Sequence, residues 1–189
     1  MTAITNVPTT LADLAGTYVI DPTHSRIGFV ARHAMVTKVR GAFNEFEGTA
    51  VLDASNPAAS TAQVAIQAKS IDTRNCQRDD HLRSNDFFDM ETYPEITFVS
   101  TGVTRNVSGE YELTGDLTIK GTTKPVTVPF TFDGLATDPY GNLRAGFEGS
   151  VVVNRKDWGV NWNAGLEAGG VLVSENITLE FEISAIRNA

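Results

Sequence analysis

Over most of its 189 residues the chain alternates apolar and polar side chains with a period of two. That period restricts it to strands with one face turned to a core. Ile27, Phe29, Ala31 and His33 share one face, and Arg26, Gly28, Val30 and Arg32 share the other. The pattern returns at Ala62, Val64, Ile66 and Ala68, at Ile96 and Phe98, and at Tyr111 to Ile119. It continues at Val126 to Phe132, Phe147 to Val153 and Ile177 to Ile183. Between Val39 and Leu52, Phe43 and Phe46 are three apart, which predicts a bulge that turns both rings inward. Turn signals such as Asp21-Pro22, Asn56-Pro57 and Asp138-Pro139-Tyr140-Gly141 separate the runs. The result is an all-β domain of roughly eight strands in a meander. It is antiparallel, because the opposite faces differ in polarity. A barrel and a sandwich both satisfy this pattern.

Two segments depart from it. Residues 70 to 89 crowd Arg78, Asp79, Asp80 and His81 beside Leu82, Phe87 and Phe88. Thr73 is placed to cap a short helix over Arg74 to Arg83. Residues 154 to 165 hold both tryptophans, Trp158 and Trp162, among glycine and asparagine, as in a lid or a lip around an opening. Residues 1–16 read as a tail with one helical turn near Leu11 to Leu14, and 17–189 as a single domain.

The net charge of −8 disfavours non-specific contact with nucleic acid or an anionic membrane. Cys76 is the only cysteine, so an intramolecular disulfide and a cysteine-rich zinc site are excluded. No apolar run approaches the roughly 20 residues of a membrane span, and the first residues lack the basic and apolar regions of a secretory signal. A cytoplasmic location is therefore expected. A homodimer through an edge strand or an exposed apolar lip is compatible with the chain.

Several motifs occur together. They are Asp21-Pro22-Thr23-His24-Ser25 with Phe29 and His33, and Gly41-Ala42-Phe43 with Phe46 and Gly48. Ser70-Ile71-Asp72-Thr73, Arg78-Asp79, His81-Leu82, Asp86-Phe87-Phe88-Asp89 and Tyr93-Pro94 follow. Gly115 to Gly121 and Arg155-Lys156-Asp157-Trp158-Gly159 complete the set. In this order, over about residues 18 to 186, they resemble the YceI-like family. Trp158 stands where the family pattern has phenylalanine. The resemblance implies an eight-stranded antiparallel lipocalin-like barrel with one short inserted helix, holding an isoprenoid or other long-chain lipid and no cofactor.

A small barrel fills its interior with side chains or with a ligand. The inward set mixes large residues (Phe29, Phe43, Phe46, Phe98, Leu117) with small ones (Ala31, Ala62, Ala68, Gly115, Gly149) that supply space. With the lipid implied by the resemblance, the candidate binding residues are Phe29, Ala31, His33, Phe43, Phe46, Val64, Ile66, His81, Leu82, Phe87, Phe88, Phe98, Leu117 and Trp158. The lipid head is then expected at a barrel mouth, against the 72–89 segment or the 155–165 loop. Two other readings stand beside this one. Asp79, Asp80 and His81 could serve a hydrolase-like or metal-dependent enzyme, with His24 and His33 as further metal ligands. Alternatively, the interior is fully packed and the protein is a structural or stress-response module.

Overall fold

The structure, a computed structural model, describes residues 11–107 and 110–188. Eleven strand segments, each antiparallel to its neighbours, combine into eight strands. β1 consists of Gly16–Ile20 and Arg26–His33, β2 of Thr37–Phe43 and Phe46–Leu52, and β3 of Thr61–Gln67 and Ile71–Asp72. β4 is Glu95–Arg105, β5 Tyr111–Ile119, β6 Thr122–Thr137, β7 Leu143–Asn154 and β8 Asn176–Arg187. Each strand pairs with the next. β1 then closes the ring on β8, with Val19 opposite Ile186 and Phe29 opposite Leu179. Of the two architectures open to the alternation, the closed barrel forms. The first ten residues of the expected tail lie outside the described residues. Its last turn, Leu11–Leu14, is a 3₁₀ turn that sets Leu14 into an apolar cluster with Tyr18, Ala145 and Ala185. The Tyr18 hydroxyl donates to the Leu14 carbonyl at 3.0 Å.

The breaks in β1, β2 and β3 form one seam. β2 does not bulge between Phe43 and Phe46; it stops and restarts across Asn44 and Glu45. The Asn44 amide donates to Ser70 O at 3.1 Å, and the Gln67 amide donates to Glu45 O at 2.9 Å, so the gap in β2 is matched by the gap in β3. The gap in β1 is an aspartate-centred turn. Asp21 Oδ1 accepts from the Thr23 amide (3.0 Å) and hydroxyl (2.7 Å), while Oδ2 faces His24 Nδ1 at 2.7 Å. Arg144 Nη1 donates to the same Oδ2 at 2.6 Å, and Arg144 Nε donates to Asp138 Oδ2 at 2.8 Å. One guanidinium thus joins the β1 turn to the β6–β7 turn. True bulges fall elsewhere, at Thr101 between Ser100 and Gly102 on β4, and at Asp133 on β6 opposite the Gly146–Phe147 step of β7.

Small inward residues do not all create space, contrary to the expectation. A Cβ on Gly115 would run into the Phe98 ring and lie 2.7 Å from Val99 O. Phe29 lies opposite Gly41 in the ladder and its ring covers it; a Cβ there would also meet Thr73 Cγ2 at 2.9 Å. Gly149 faces Phe130 on one side and Phe181 on the other, and those two rings meet with centroids 6.0 Å apart. These glycines let phenyl rings lie flat on the barrel wall, so the volume goes to the ring.

Two predictions follow from these contacts. Gly115→Val should destabilise the barrel by about 1–3 kcal/mol through overpacking, read as a lower urea midpoint. The second concerns acid. Its hydrogen bonds from Arg144, Thr23 and His24 hold the Asp21 carboxyl well below the ordinary carboxylate range, and those from Asn142 and Arg144 do the same for Asp138. The unfolded chain then binds more protons in acid, so this stabilisation is complete above about pH 4 and is lost as pH falls through the folded values. Arg144→Leu should lower stability at pH 7 and flatten its decline between pH 4 and 2, as measured by urea titrations across that range.

Candidate lipid-binding cavity

The barrel encloses a cavity of about 340 Å³, within the range of about 300–1,000 Å³ common for small-molecule sites. At one end its wall includes Leu14, Tyr18 and the turn between β2 and β3 (Asp53, Ala54, Pro57, Ser60). At the other it includes Leu82, Phe87, Phe88, Arg155, Trp158, Val160 and Val173. Between them the wall is apolar, as the alternation requires: Ile27, Phe29 and Ala31 on β1, Phe43 on β2, and Ala62, Val64 and Ile66 on β3. Ile96 and Phe98 on β4, Leu113, Leu117 and Ile119 on β5, and Leu179, Phe181 and Ile183 on β8 continue it. An interior filled by its own side chains is not what forms.

Eleven of the candidate residues lie in this wall: Phe29, Ala31, Phe43, Val64, Ile66, Leu82, Phe87, Phe88, Phe98, Leu117 and Trp158. Three do not. His33 is exposed, because β1 ends with it and the chain turns at once through Ala34 and Met35, both at positive φ. Phe46 is buried in the core, but as the first residue after the β2 break it lies outside the cavity wall. His81 is half-buried between Phe87 and Trp162 and bonded to Asp86 Oδ2 at 2.8 Å, outside the cavity wall. Ala68, counted as an inward space-maker, is buried in the 3₁₀ turn at the β3 break and is absent from the wall. The alternation missed Val160 and Val173, because both lie in the loop before β8 and carry no strand period.

The covered end is built from the two segments that broke the pattern. The helix α1 is Cys76–Arg83, starting two residues later than expected, and Asn75 rather than Thr73 caps it by accepting from the Arg78 amide at 2.9 Å. Thr73 has another role. Asp79, itself buried, accepts from the Thr73 amide (2.9 Å) and hydroxyl (2.5 Å), and Arg78 donates to Thr73 Oγ1 (2.7 Å) and O (2.8 Å). Arg83 ties the helix to β3 through the carbonyls of Lys69 (2.8 Å) and Ile71 (2.9 Å). So held, the segment turns Leu82, Phe87 and Phe88 into the cavity, with the Phe88 ring edge-on to Phe43 at 5.8 Å.

These bonds bear directly on acid–base chemistry. Asp79 is committed to Thr73, Asp80 to Arg83 (3.0 Å) and His81 to Asp86, so the three do not converge on one point. His24 belongs to the β1 turn, and His33 pairs with Val173 at the edge of the covering loop. Among the described residues no group of three His, Cys, Asp or Glu side chains is placed to hold a metal ion.

The second segment covers the same end. After the 3₁₀ turn Arg155–Trp158, Trp158 is buried and its indole N–H donates to Leu117 O at 2.9 Å. Asn163 pins the loop on itself through the Val173 carbonyl (2.7 Å) and amide (3.0 Å). The loop then docks on the β1–β2 hairpin, with the Ala34 amide donating to Leu172 O at 2.7 Å. Trp162, half-buried, stacks edge-on to His81 at 4.6 Å and tilts against Phe87 at 5.3 Å. The two tryptophans therefore divide their work: Trp158 lines the cavity, and Trp162 fastens one cover to the other. Trp162→Ala should loosen that seam without unfolding the barrel. Amide exchange should speed up in residues 159–173 and 81–90 while the β4–β7 ladder stays protected.

A closed barrel with an apolar interior, capped by an inserted helix and a returning loop, is an architecture with room for a small apolar ligand. The YceI-like domain model matches residues 18–185, and the chain belongs to that family. A UPF0312 protein of Pseudomonas aeruginosa is 38% identical over 176 residues, covering 92% of this chain and 88% of the relative. A UPF0312 protein of Vibrio cholerae is 38% identical over 162 residues, covering 85% of each. Among solved structures, BcnA of Burkholderia cenocepacia superposes with a TM-score of 0.76 at 28% identity, covering 87% of this chain and 98% of BcnA. A polyisoprenoid-binding domain from Saccharophagus degradans shares the fold with a TM-score of 0.68 at 16% identity, covering 90% and 98%. No helix among the described residues is long and apolar enough to cross a membrane.

Proposed function

We propose that this protein binds a long-chain lipid, of isoprenoid type, inside the barrel, and carries, stores or sequesters it without chemical change. One observation carries the reading: the interior is an apolar cavity spanning the barrel, lined on every strand and covered at one end by Leu82, Phe87, Phe88 and Trp158. Burial of apolar surface contributes about 25 cal/mol per Å². A chain of repeated hydrocarbon units therefore gains affinity along its length without directed contacts. The polyisoprenoid-binding domain that shares this fold supports the isoprenoid class. Binding rather than catalysis is favoured because Asp79, Asp80 and His81 are each committed to a separate partner and are not among the residues of the wall.

The test is to extract purified protein with organic solvent and analyse the extract by mass spectrometry. A prenyl lipid or similar long-chain amphiphile near one per chain is expected. Folded protein that gives an empty extract, and that takes up no C20 isoprenoid alcohol in solution, overturns the reading. Ala31→Trp and Ala62→Trp place indoles in the cavity wall. Each should weaken lipid uptake by about tenfold or more, about 1.4 kcal/mol, while the circular dichroism spectrum stays that of the barrel.

A further inference from the structure

Among the described residues two charged side chains are buried, Asp79 and Arg155. Asp79 is satisfied by Thr73 and lies outside the cavity wall. Arg155 lies in the wall, at the covered end. It is 7% exposed. Its Nε donates to Ser174 O at 2.9 Å and its Nη1 to Val160 O at 2.5 Å. Its Nη2, also buried, has no hydrogen-bond partner, and it is the one such side-chain atom among the described residues. Among the described residues no carboxylate lies within ion-pair distance of it. Glu175 is close enough to favour the charge, but its own oxygen is bonded to Lys156 Nζ at 2.5 Å. Burial pushes the guanidinium below its ordinary value. A buried cation with an unused donor is costly unless something accepts from it. The neighbouring indole N–H of Trp158 is already committed to Leu117 O.

The guanidinium is also held in place. The Arg155 amide donates to Glu175 O (2.9 Å) and the Val160 amide donates to Arg155 O (3.3 Å), so the loop is tied around it at both ends. A fixed donor fork with one arm free suits a compact, planar oxygen acceptor. At the far end of the cavity the wall passes into Asp53, Ala54, Pro57 and Thr61, which are half-buried or exposed.

We propose that Arg155 is the head-group anchor of the cavity. The lipid enters polar end first from the 53–61 side, and its terminal carboxylate accepts from Nη2 beneath the 155–175 cover. The hydrocarbon tail then trails along β1 to β8 towards the opposite end. This rests on the reading that the cavity holds a lipid, and it adds the head chemistry and the direction of the chain.

The test compares three C20 isoprenoids of one skeleton, ending in a carboxylate, a primary amine or an alcohol, by competition against a fluorescent fatty-acid probe. The chain's net charge of −8 by itself favours the amine. Anchoring by Arg155 predicts the reverse: the acid should bind the wild-type protein about tenfold or more tightly than the amine, the size of one hydrogen bond to a charged group. Arg155→Met should bring that ratio close to one and leave the alcohol's affinity nearly unchanged. Trp162→Phe leaves Trp158 as the single tryptophan of the chain. In that background, bromine beside the carboxylate should quench Trp158 fluorescence and bromine at the tail end should not.

If the acid and amine bind equally, or the amine binds more tightly, the anchor is wrong while lipid binding stands. Tail-end quenching alone reverses the proposed direction and overturns it as well. If none of the three ligands binds, the lipid reading itself fails. Should Arg155→Met not fold, the wild-type acid-to-amine ratio and the bromine positions decide between these outcomes without it.

Discussion

The pairing of β1 with β8 is the constraint on which the rest depends. Until the first strand meets the last, the alternating side chains have two faces and no inside. Both halves of β1 share β8 as partner: Tyr18 to Ile20 pair with Ala185 to Arg187, and Arg26 to Val30 pair with Thr178 to Glu182. The aspartate-centred turn between them absorbs the residues that do not fit the ladder. The matched gaps in β2 and β3 carry the same bend across the sheet. A closed ring removes long free edges, which takes away the edge-strand route to a dimer over most of the barrel.

Closure leaves a hollow that the wall residues do not fill. Phe29, Phe98 and Phe130 lie over glycines at 41, 115 and 149, so the aromatic wall is smooth and the space stays along the axis. The two irregular segments supply what strands cannot, a cover across the barrel end. Their polar residues are spent on holding that cover. Asp79 and Arg78 brace Thr73, Arg83 grips the β3 carbonyls, and Trp162 sits against His81 and Phe87. Among the described residues Arg155 is the one buried side chain with a donor unused, and the residue lines the cavity.

Much of the cavity was legible residue by residue. Phe29, Val64, Ile66, Phe98 and Leu117 stand in unbroken period-two runs, and a period of two says which side chains share a face. Leu82, Phe87 and Phe88 were legible for a different reason: large apolar residues in a charged segment need something to pack on. The misplacements fall where the period is interrupted. Phe46 follows a strand break, and His33 is the last residue before a hairpin. His81 lies on a helix, where neighbours differ in direction by about 100°. The glycines were misread for a reason alternation cannot reach, since an empty Cβ position is filled or left open by the strand next door.

The amino-acid order alone determined an all-β chain with one short helical insert and an apolar face on nearly every strand. Those properties are local, set by the polarity of residues one and two apart. Tertiary structure decided that the apolar faces enclose a cavity rather than pack on one another. It decided that Asp79 serves Thr73, and that Arg155 is buried with one nitrogen unpaired. Each of these depends on which groups the fold brings within reach, such as Arg155 with Ser174, Phe29 with Gly41 and Asp79 with Thr73. Contacts of that kind join residues beyond the reach of a two-residue alternation, and no local period encodes them.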